Sequence, residues 1–148
     1  NVKLLMIGRG YLLESTIHLT KKLELTSHVD FIGEVEYEHI PNYINAADAG
    51  IFILTDIGKI YGKSLKLYEY MACERPVITG ESCGHFVREN NIGIVIQEED
   101  YQQAANAIVN LLKDNELMNM MGKNGRKLVM NSFTWDITTE KILGGVKR

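Results

Sequence analysis

Short apolar runs alternate with longer amphipathic segments along the chain, and this alternation constrains the fold more than any other feature. The run KLLMI lacks a period-two alternation, which is typical of a strand buried on both faces. Strands are predicted over 3–7, 28–33, 49–54, 75–80 and 92–96. Helices are predicted over 11–25, 64–74, 84–90, 101–114, 116–131 and 134 to about 146, and the stretch 38–48 is predicted to contain a short helix around Pro41. Asp100 and Thr134 stand where N-caps are expected. The pattern predicts the α/β class, with a Rossmann-like, doubly wound parallel sheet flanked by helices.

Composition narrows the class of protein. The 148 residues suffice for one sizeable core, so we expect 1–148 to form a single domain. A formal charge of −3 argues against a nucleic-acid-binding surface, which would carry a basic excess. Two cysteines, Cys73 and Cys83, are too few for a disulfide scaffold and favour the cytoplasm. The chain opens on Asn1 and enters a strand by Lys3, so we expect a fragment of a longer protein that lacks its first strand and helix.

Two glycines mark the junction between the first strand and the first helix. In doubly wound sheets, ligands bind beyond the carboxyl ends of the strands, and Gly8-Arg9-Gly10 follows such an end. Glycines there allow close approach to the backbone, and a helix N-terminus favours an anion. Leu13 occupies the third glycine position of G-x-G-x-x-G, so the dinucleotide fingerprint fails. A tight turn without a ligand stays an equal alternative.

The stretch KSLKLYE, residues 63–69, places charges of both signs at the start of a predicted helix. Ser64 is a candidate N-cap, and the backbone N–H groups near Leu65 and Lys66, together with a lysine ammonium, suit a diphosphate. Glu69 could accept hydrogen bonds from the two hydroxyl groups of a ribose. The spacing alone fits a surface ion pair between Lys66 and Glu69 at least as well.

Several motifs together resemble the C-terminal domain of the GT-B glycosyltransferases of the group 1 type, the retaining family 4. They are HVDFIGEVEYEHIPNYINAADAGIFIL (28–54), EYMACERPVI (69–78), NNIGIVI (90–96) and FTWD (133–136). They follow the order and spacing of that family over nearly the whole chain. The resemblance implies that the chain is the C-terminal half of a GT-B fold.

The resemblance also implies roles for individual residues. Glu69 matches the second glutamate of the family's E-x7-E pair, which binds ribose, and Lys66 would face the donor phosphates, so both are the implied catalytic residues. The implied donor-binding set is Gly8, Arg9, Gly10, Gly33, Glu34, Val35, Tyr61, Gly62, Lys63, Ser64, Leu65, Lys66 and Glu69. In this set the segment from Gly33 to Val35 would cradle the nucleotide base.

Three positions depart from the family pattern. Tyr61 stands where the first glutamate of E-x7-E is expected, which puts contacts to the donor sugar in doubt. Glu74 replaces the usual glycine, an exchange that looks harmless, and Arg9 replaces the commoner acidic residue in the glycine turn. Arg9 would either reach a phosphate or remain solvated.

The function implied by the resemblance is retaining transfer of a sugar from a nucleotide-diphosphate donor, in carbohydrate or cell-envelope polysaccharide biosynthesis. The sugar, lipid-linked or protein acceptor would be held by the absent N-terminal domain, so the fragment alone would be inactive. Peripheral membrane association of the full enzyme is compatible with this role.

We expect no cofactor and no obligatory metal. The nucleotide base stays open. The alternatives are a non-catalytic nucleotide- or sugar-binding module and a sugar-nucleotide epimerase of the GT-B architecture.

Overall fold

The computed structural model describes residues 2–53, 64–97 and 99–146, which form two compact units, Asn1–Tyr43 and Ile44–Arg148. The strands are β1 (Leu4–Ile7), β2 (Val29–Gly33), β3 (Gly50–Phe52), β4 (Val77–Thr79) and β5 (Gly93–Val95). The helices are α1 (Leu13–Lys22), α2 (Ile40–Ala46), α3 (Leu65–Ala72), α4 (Gly84–Asn90), α5 (Tyr101–Lys113), α6 (Asn115–Ser132) and α7 (Trp135–Val146). Two single-turn 3-10 helices cover Tyr37–His39 and Glu81–Cys83.

The strands pair in parallel, as predicted, but in two sheets. In the first unit β1 pairs with β2, and in the second the order is β3-β4-β5.

The three-stranded sheet is covered by helices on both faces. Successive strand residues point to opposite faces, so the neighbours Val77 and Ile78 of β4 enter different apolar clusters. Val77 packs with Leu67 and Met71 of α3, and Ile78 packs with Leu111 of α5. These five side chains are at most 2% exposed, so the α/β layering has a dry core.

Side-chain caps fix the starts of four helices. The predicted caps Ser64, Asp100 and Thr134 each accept a hydrogen bond from a backbone N–H in the first turn. Asp114, which was not a predicted cap, accepts a hydrogen bond from the Leu117 N–H at 2.9 Å and begins α6. Because Asp114 also ends α5, α5 and α6 follow one another directly.

Left-handed residues end three helices of the described chain. Glu24, Glu74 and Asn91 have φ of 58°, 57° and 49°. After α3 the N–H of Glu74 donates to Met71 and that of Arg75 donates to Tyr70, the hydrogen-bond pattern of a Schellman motif. Glycine is preferred at this position, so the Glu74 exchange that looks harmless in the sequence puts a side chain into a strained backbone.

Candidate functional site

The N-terminus of α3 is the first of two places where predicted site residues lie together. Ser64 caps the helix, and its hydroxyl accepts the Lys66 amide at 3.4 Å. The sequence suggested that this amide is free to bind a phosphate, but it is already hydrogen-bonded to Ser64. The distance of 3.4 Å is long for such a bond. Leu65 is exposed, so the first turn is open to solvent. The aligned peptide dipoles make this end of α3 electropositive.

Lys66 and Glu69 are the two charged side chains of α3. Lys66 is exposed and Glu69 is half-buried. Among the described residues, neither side chain belongs to an ion pair, so the surface pair that the spacing allowed does not form. Burial raises the pKa of the adjacent Tyr70, and the negative charge of Glu69 adds to this effect. The helix therefore carries one cation and one anion that have no ion-pair partner among the described residues.

Close packing on α6 and hydrogen bonds hold α3 in place. Gly122 of α6 lies so near α3 that an added Cβ would stand 2.1 Å from the Glu74 carbonyl oxygen. Arg126 donates to the Ala72 carbonyl, and Arg75 donates to the Asn45 carbonyl at 3.0 Å. The C-terminal end of α3 is thus anchored, and its open end carries the candidate residues.

The loops after β1 and β2 form the second place. The Gly8 N–H donates to the Gly33 carbonyl at 2.7 Å, and both glycines have positive φ, 119° and 81°. A Cβ added at Gly8, Gly10 or Gly33 would meet nothing within 4 Å. The space over this backbone is therefore open. Half-buried Val35 follows in the same loop.

Arg9 and Glu34 form an ion pair across these loops. The Arg9 Nε lies 2.9 Å from Glu34 Oε2, with side chains 76% and 59% exposed. Arg9 is therefore neither merely solvated nor an uncompensated cation for a phosphate. Both residues belong to the donor set that the resemblance implies, but they follow different strands, so the sequence alone does not indicate that they pair.

A cleft of about 290 Å³ opens beside the glycine turn. Its walls are mostly apolar, with Ile7, Leu12 and Leu13 among the lining residues, which also include Arg9. Tyr11, also in the lining, is 95% exposed. A ring with an apolar face suits such a lining better than a free anion does.

Three residues of the predicted donor set fall outside the part of the chain that the structure describes. Tyr61, Gly62 and Lys63 lie outside the described residues. Within the described ranges, no group of His, Cys, Asp and Glu side chains could hold a metal ion. Nor does any helix in those ranges have the length and apolarity to cross a membrane.

Solved structures define the class of fold. The Anabaena protein HepE, solved in complex with UDP, matches with a TM-score of 0.84 and 18% identity, over 99% of this chain and 41% of that one. Sucrose-phosphate synthase from Thermosynechococcus elongatus matches with a TM-score of 0.80 and 24% identity, over 98% and 38%. The C-terminal domain of a Francisella tularensis group 1 glycosyl transferase matches with a TM-score of 0.61 and 19% identity, over 86% and 66%. The chain has the α/β fold of GT-B C-terminal domains, as predicted.

Curated relatives and a family profile identify the family. The chain is 28% identical over 144 residues to a GDP-mannose-dependent phosphatidylinositol monomannoside mannosyltransferase of Mycobacterium tuberculosis, covering 94% of this chain and 37% of the relative. It is 30% identical over 145 residues to the capsular polysaccharide glycosyltransferase CapM of Staphylococcus aureus, covering 96% and 37%. The chain thus spans little more than a third of these relatives. The profile described as "Glycosyl transferases group 1" matches residues 1–128. The chain belongs to this family, as the motifs indicated.

Proposed function

We propose that this chain is the donor-binding part of a retaining glycosyltransferase. The first turn of α3 binds the diphosphate of a nucleotide sugar, and Glu69 binds the ribose. The family supports a donor of this kind, since the names of relatives include GDP-mannose-dependent transferases and HepE was solved with UDP. The rest of a longer protein holds the acceptor. The two described cysteines are free thiols, which suits work in the cytoplasm.

The observation that carries the proposal is the unpaired state of Lys66 and Glu69 on α3. Within the described part of the chain neither has an ion-pair partner, yet they lie less than one turn apart. A lysine beside a helix N-terminus attracts phosphate. A carboxylate does not, but it accepts hydrogen bonds from sugar hydroxyls. Opposite charges on one turn fit a ligand that carries both chemistries.

Lys66 also has a catalytic role in this proposal. Negative charge grows on the diphosphate as its bond to the sugar breaks, and a fixed ammonium with a helix dipole stabilises that charge most in the transition state. Because these groups supply the positive charge, donor binding needs no divalent metal. We expect the affinity for the nucleotide to be unchanged when EDTA replaces magnesium in the buffer.

Calorimetric titration tests the role of Lys66. The chain is titrated with UDP, GDP, ADP and dTDP, and then with the monophosphate of the base that binds best. We expect the diphosphate to bind more tightly than the monophosphate, and Lys66→Gln to weaken diphosphate binding by roughly 10- to 100-fold, the worth of a charged hydrogen bond. Lys123→Gln removes an exposed lysine from α6 and serves as the control.

The role of Glu69 is tested with the sugar of the nucleotide. Wild-type chain should prefer the ribonucleotide to its 2′,3′-dideoxy analogue, and Glu69→Gln should remove most of that preference. Glu116→Gln, at an exposed carboxylate in the first turn of α6, is the control.

No binding of any diphosphate, or equal effects of control and site variants, would contradict the proposal. Sugar transfer by the 148 residues alone would contradict the proposal that this chain binds only the donor and that another part of the protein holds the acceptor.

A further inference from the structure

The two residues that flank Glu69 are tyrosines, and each packs on a different element of the fold. An α-helix has 3.6 residues per turn, so Tyr68 and Tyr70 each lie about 100° from Glu69 around the axis of α3. The Tyr70 ring lies against β3, whereas the Tyr68 ring lies against Phe133, the residue that follows α6. The carboxylate therefore projects between two aromatic contacts that α3 makes with other elements.

The contact of Tyr70 with β3 depends on a glycine. A Cβ added at Gly50 would overlap the Cγ, Cδ1 and Cδ2 atoms of Tyr70, so the ring lies directly over the Gly50 backbone. The Tyr70 hydroxyl donates to the Ile51 carbonyl at 3.4 Å, which is long for a hydrogen bond. Because the contact involves the base of the ring, where a side chain has least freedom to move, it fixes this side of α3 on β3.

The contact of Tyr68 holds the other side of the helix. The ring centroids of Tyr68 and Phe133 are 4.9 Å apart, and the ring planes are inclined at 43°. Phe133 in turn meets the edge of Phe86 in α4, at a centroid distance of 6.1 Å. Both distances are within the range of favourable aromatic pairs. Phe133 belongs to the FTWD motif, so this motif packs on the helix that carries the candidate residues.

Rotation of α3 about its axis would move the Glu69 carboxylate more than a hydrogen bond tolerates. Side chains reach about 5–6 Å from a helix axis, so a rotation of about 20° displaces the end of a side chain by roughly 2 Å. Hydrogen bonds to a carboxylate weaken steeply over such a distance. The longer, flexible stem of Lys66 can compensate for the same rotation. Contacts that prevent rotation are therefore more important for Glu69 than for Lys66.

We propose that Tyr68 and Tyr70 are positioning residues, which fix the rotation of α3 and thereby direct the Glu69 carboxylate at the ribose of the donor. The inference rests on the proposed function, in which Glu69 binds the ribose. Tyr70 holds the helix on β3, and Tyr68 holds it on Phe133. Neither tyrosine has to touch the ligand for this role.

The test measures the preference of the chain for a ribonucleoside diphosphate over its 2′,3′-dideoxy analogue by calorimetric titration. We expect Tyr68→Leu and Tyr70→Leu each to lower this preference at least about fivefold, through weakening of a hydrogen bond to a charged group. Tyr70→Phe keeps the ring on β3 and should stay within about twofold of wild type. The preference for diphosphate over monophosphate should change less than about twofold in all three variants, because Lys66 can follow the helix.

Substitution of Gly50 tests the same contact from the side of the strand. The added methyl group in Gly50→Ala displaces the Tyr70 ring, so we expect a similar loss of ribose preference. In the Tyr70→Leu background the same substitution should lower the preference by less than about twofold more, because substitutions of residues in contact are not additive. Leu111→Val is the control, since it trims the core on the other face of the sheet and should lower Tm without changing the preference.

The outcomes separate this inference from the proposed function. An unchanged ribose preference in both leucine variants overturns the inference and leaves the role of Glu69 intact. An equal loss of affinity for both nucleotides also overturns it, because the tyrosines then support only the fold, and so does a lowered preference in Leu111→Val. Absence of a ribose preference in the wild-type chain contradicts the proposed function itself. A preference that falls in the leucine variants and is retained in Tyr70→Phe and Leu111→Val supports the assignment.

Discussion

The contact between α6 and α3 allows a paired test of how closely the site helix is packed. Gly122 and Gly125 are both buried, both in α6 and both directed at α3. An added Cβ at Gly122 would stand 2.1 Å from the Glu74 carbonyl oxygen, whereas one at Gly125 would stand 3.3 Å from Met71. The same substitution by alanine therefore meets a severe overlap with a backbone atom at Gly122 and a contact that is only slightly too close at Gly125.

The expected magnitudes follow from these distances. An ordinary C···O contact is about 3.3 Å or more, so Gly122→Ala forces the two backbones apart by roughly 1 Å. Overpacking of this kind costs about 1–3 kcal/mol. Each alanine also gains about 1 kcal/mol of helix propensity, which is common to both variants. We expect Gly122→Ala to lose up to about 2 kcal/mol net, and Gly125→Ala to stay within about 1 kcal/mol of wild type.

Urea and thermal unfolding followed by circular dichroism measure this difference. For a chain of this size about 2 kcal/mol between the variants corresponds to roughly 4–8 °C in Tm. Because both variants carry the same propensity gain, the difference isolates the clash with Glu74. Equal stability of the two variants would refute the reasoning, since it would mean that α3 moves aside without cost.

Three further predictions concern single side chains. Glu74→Gly should raise the free energy of unfolding by about 0.5 kcal/mol, because relief of the left-handed strain exceeds the extra entropy of glycine in the unfolded chain; thermal unfolding measures it. Asp114→Ala should lower it by about 1 kcal/mol through loss of the α6 cap, as measured by urea unfolding. Arg88 lowers the pKa of Glu81 below 4.5, so the ion pair stabilises the fold above about pH 4.5 and this stabilisation is lost as the pH falls through the pKa in the folded state. The Tm difference between wild type and Glu81→Gln should therefore shrink as the pH is lowered below 4.5.

The first two of these predictions have a control variant at the same position, and the third has an outcome that would contradict it. Glu74→Ala removes the same charge but keeps a Cβ at positive φ, so any gain equal to that of Glu74→Gly would mean that charge, not strain, is responsible. Asp114→Asn keeps a capping oxygen and should stay near wild type; a loss as large as that of alanine would exclude the cap as the cause. A Tm difference for Glu81→Gln that is constant with pH would contradict the role of its carboxylate.

The starts of helices could be predicted where a polar residue that can serve as an N-cap stands directly before a helical pattern. Ser64, Asp100 and Thr134 were readable as caps because each polar residue precedes an apolar periodic segment. Asp114 was missed, since it lies between two helical patterns with no turn residues to separate them. The left-handed residue after α3 had a signal in the sequence, namely Glu74 where the related pattern has glycine, but the strain itself appears only in the backbone angles.

The chemistry of the site was less predictable than the fold. The motifs placed Lys66 and Glu69 on one helix turn, but only coordinates show that they do not pair with each other. The pairing of Arg9 with Glu34 depends on the register of β1 against β2 and on the hydrogen bond that joins their loops. Such contacts between loops far apart in sequence have no local signature. Whether the predicted residues bind a donor remains a prediction.

The glutamate at the left-handed end of α3 has a consequence for mutation at the level of the gene. Glutamate and glycine codons differ by a single base at their second position, so one transition would exchange Glu74 for the residue that this backbone favours. A chain with this substitution would gain stability without any change to Lys66 or Glu69, which lie nearer the other end of the helix. That surplus could absorb a destabilising change elsewhere, because proteins lose function only when they fall below a stability threshold. A substitution at position 74 could therefore let the chain tolerate destabilising mutations that the present sequence would tolerate less well.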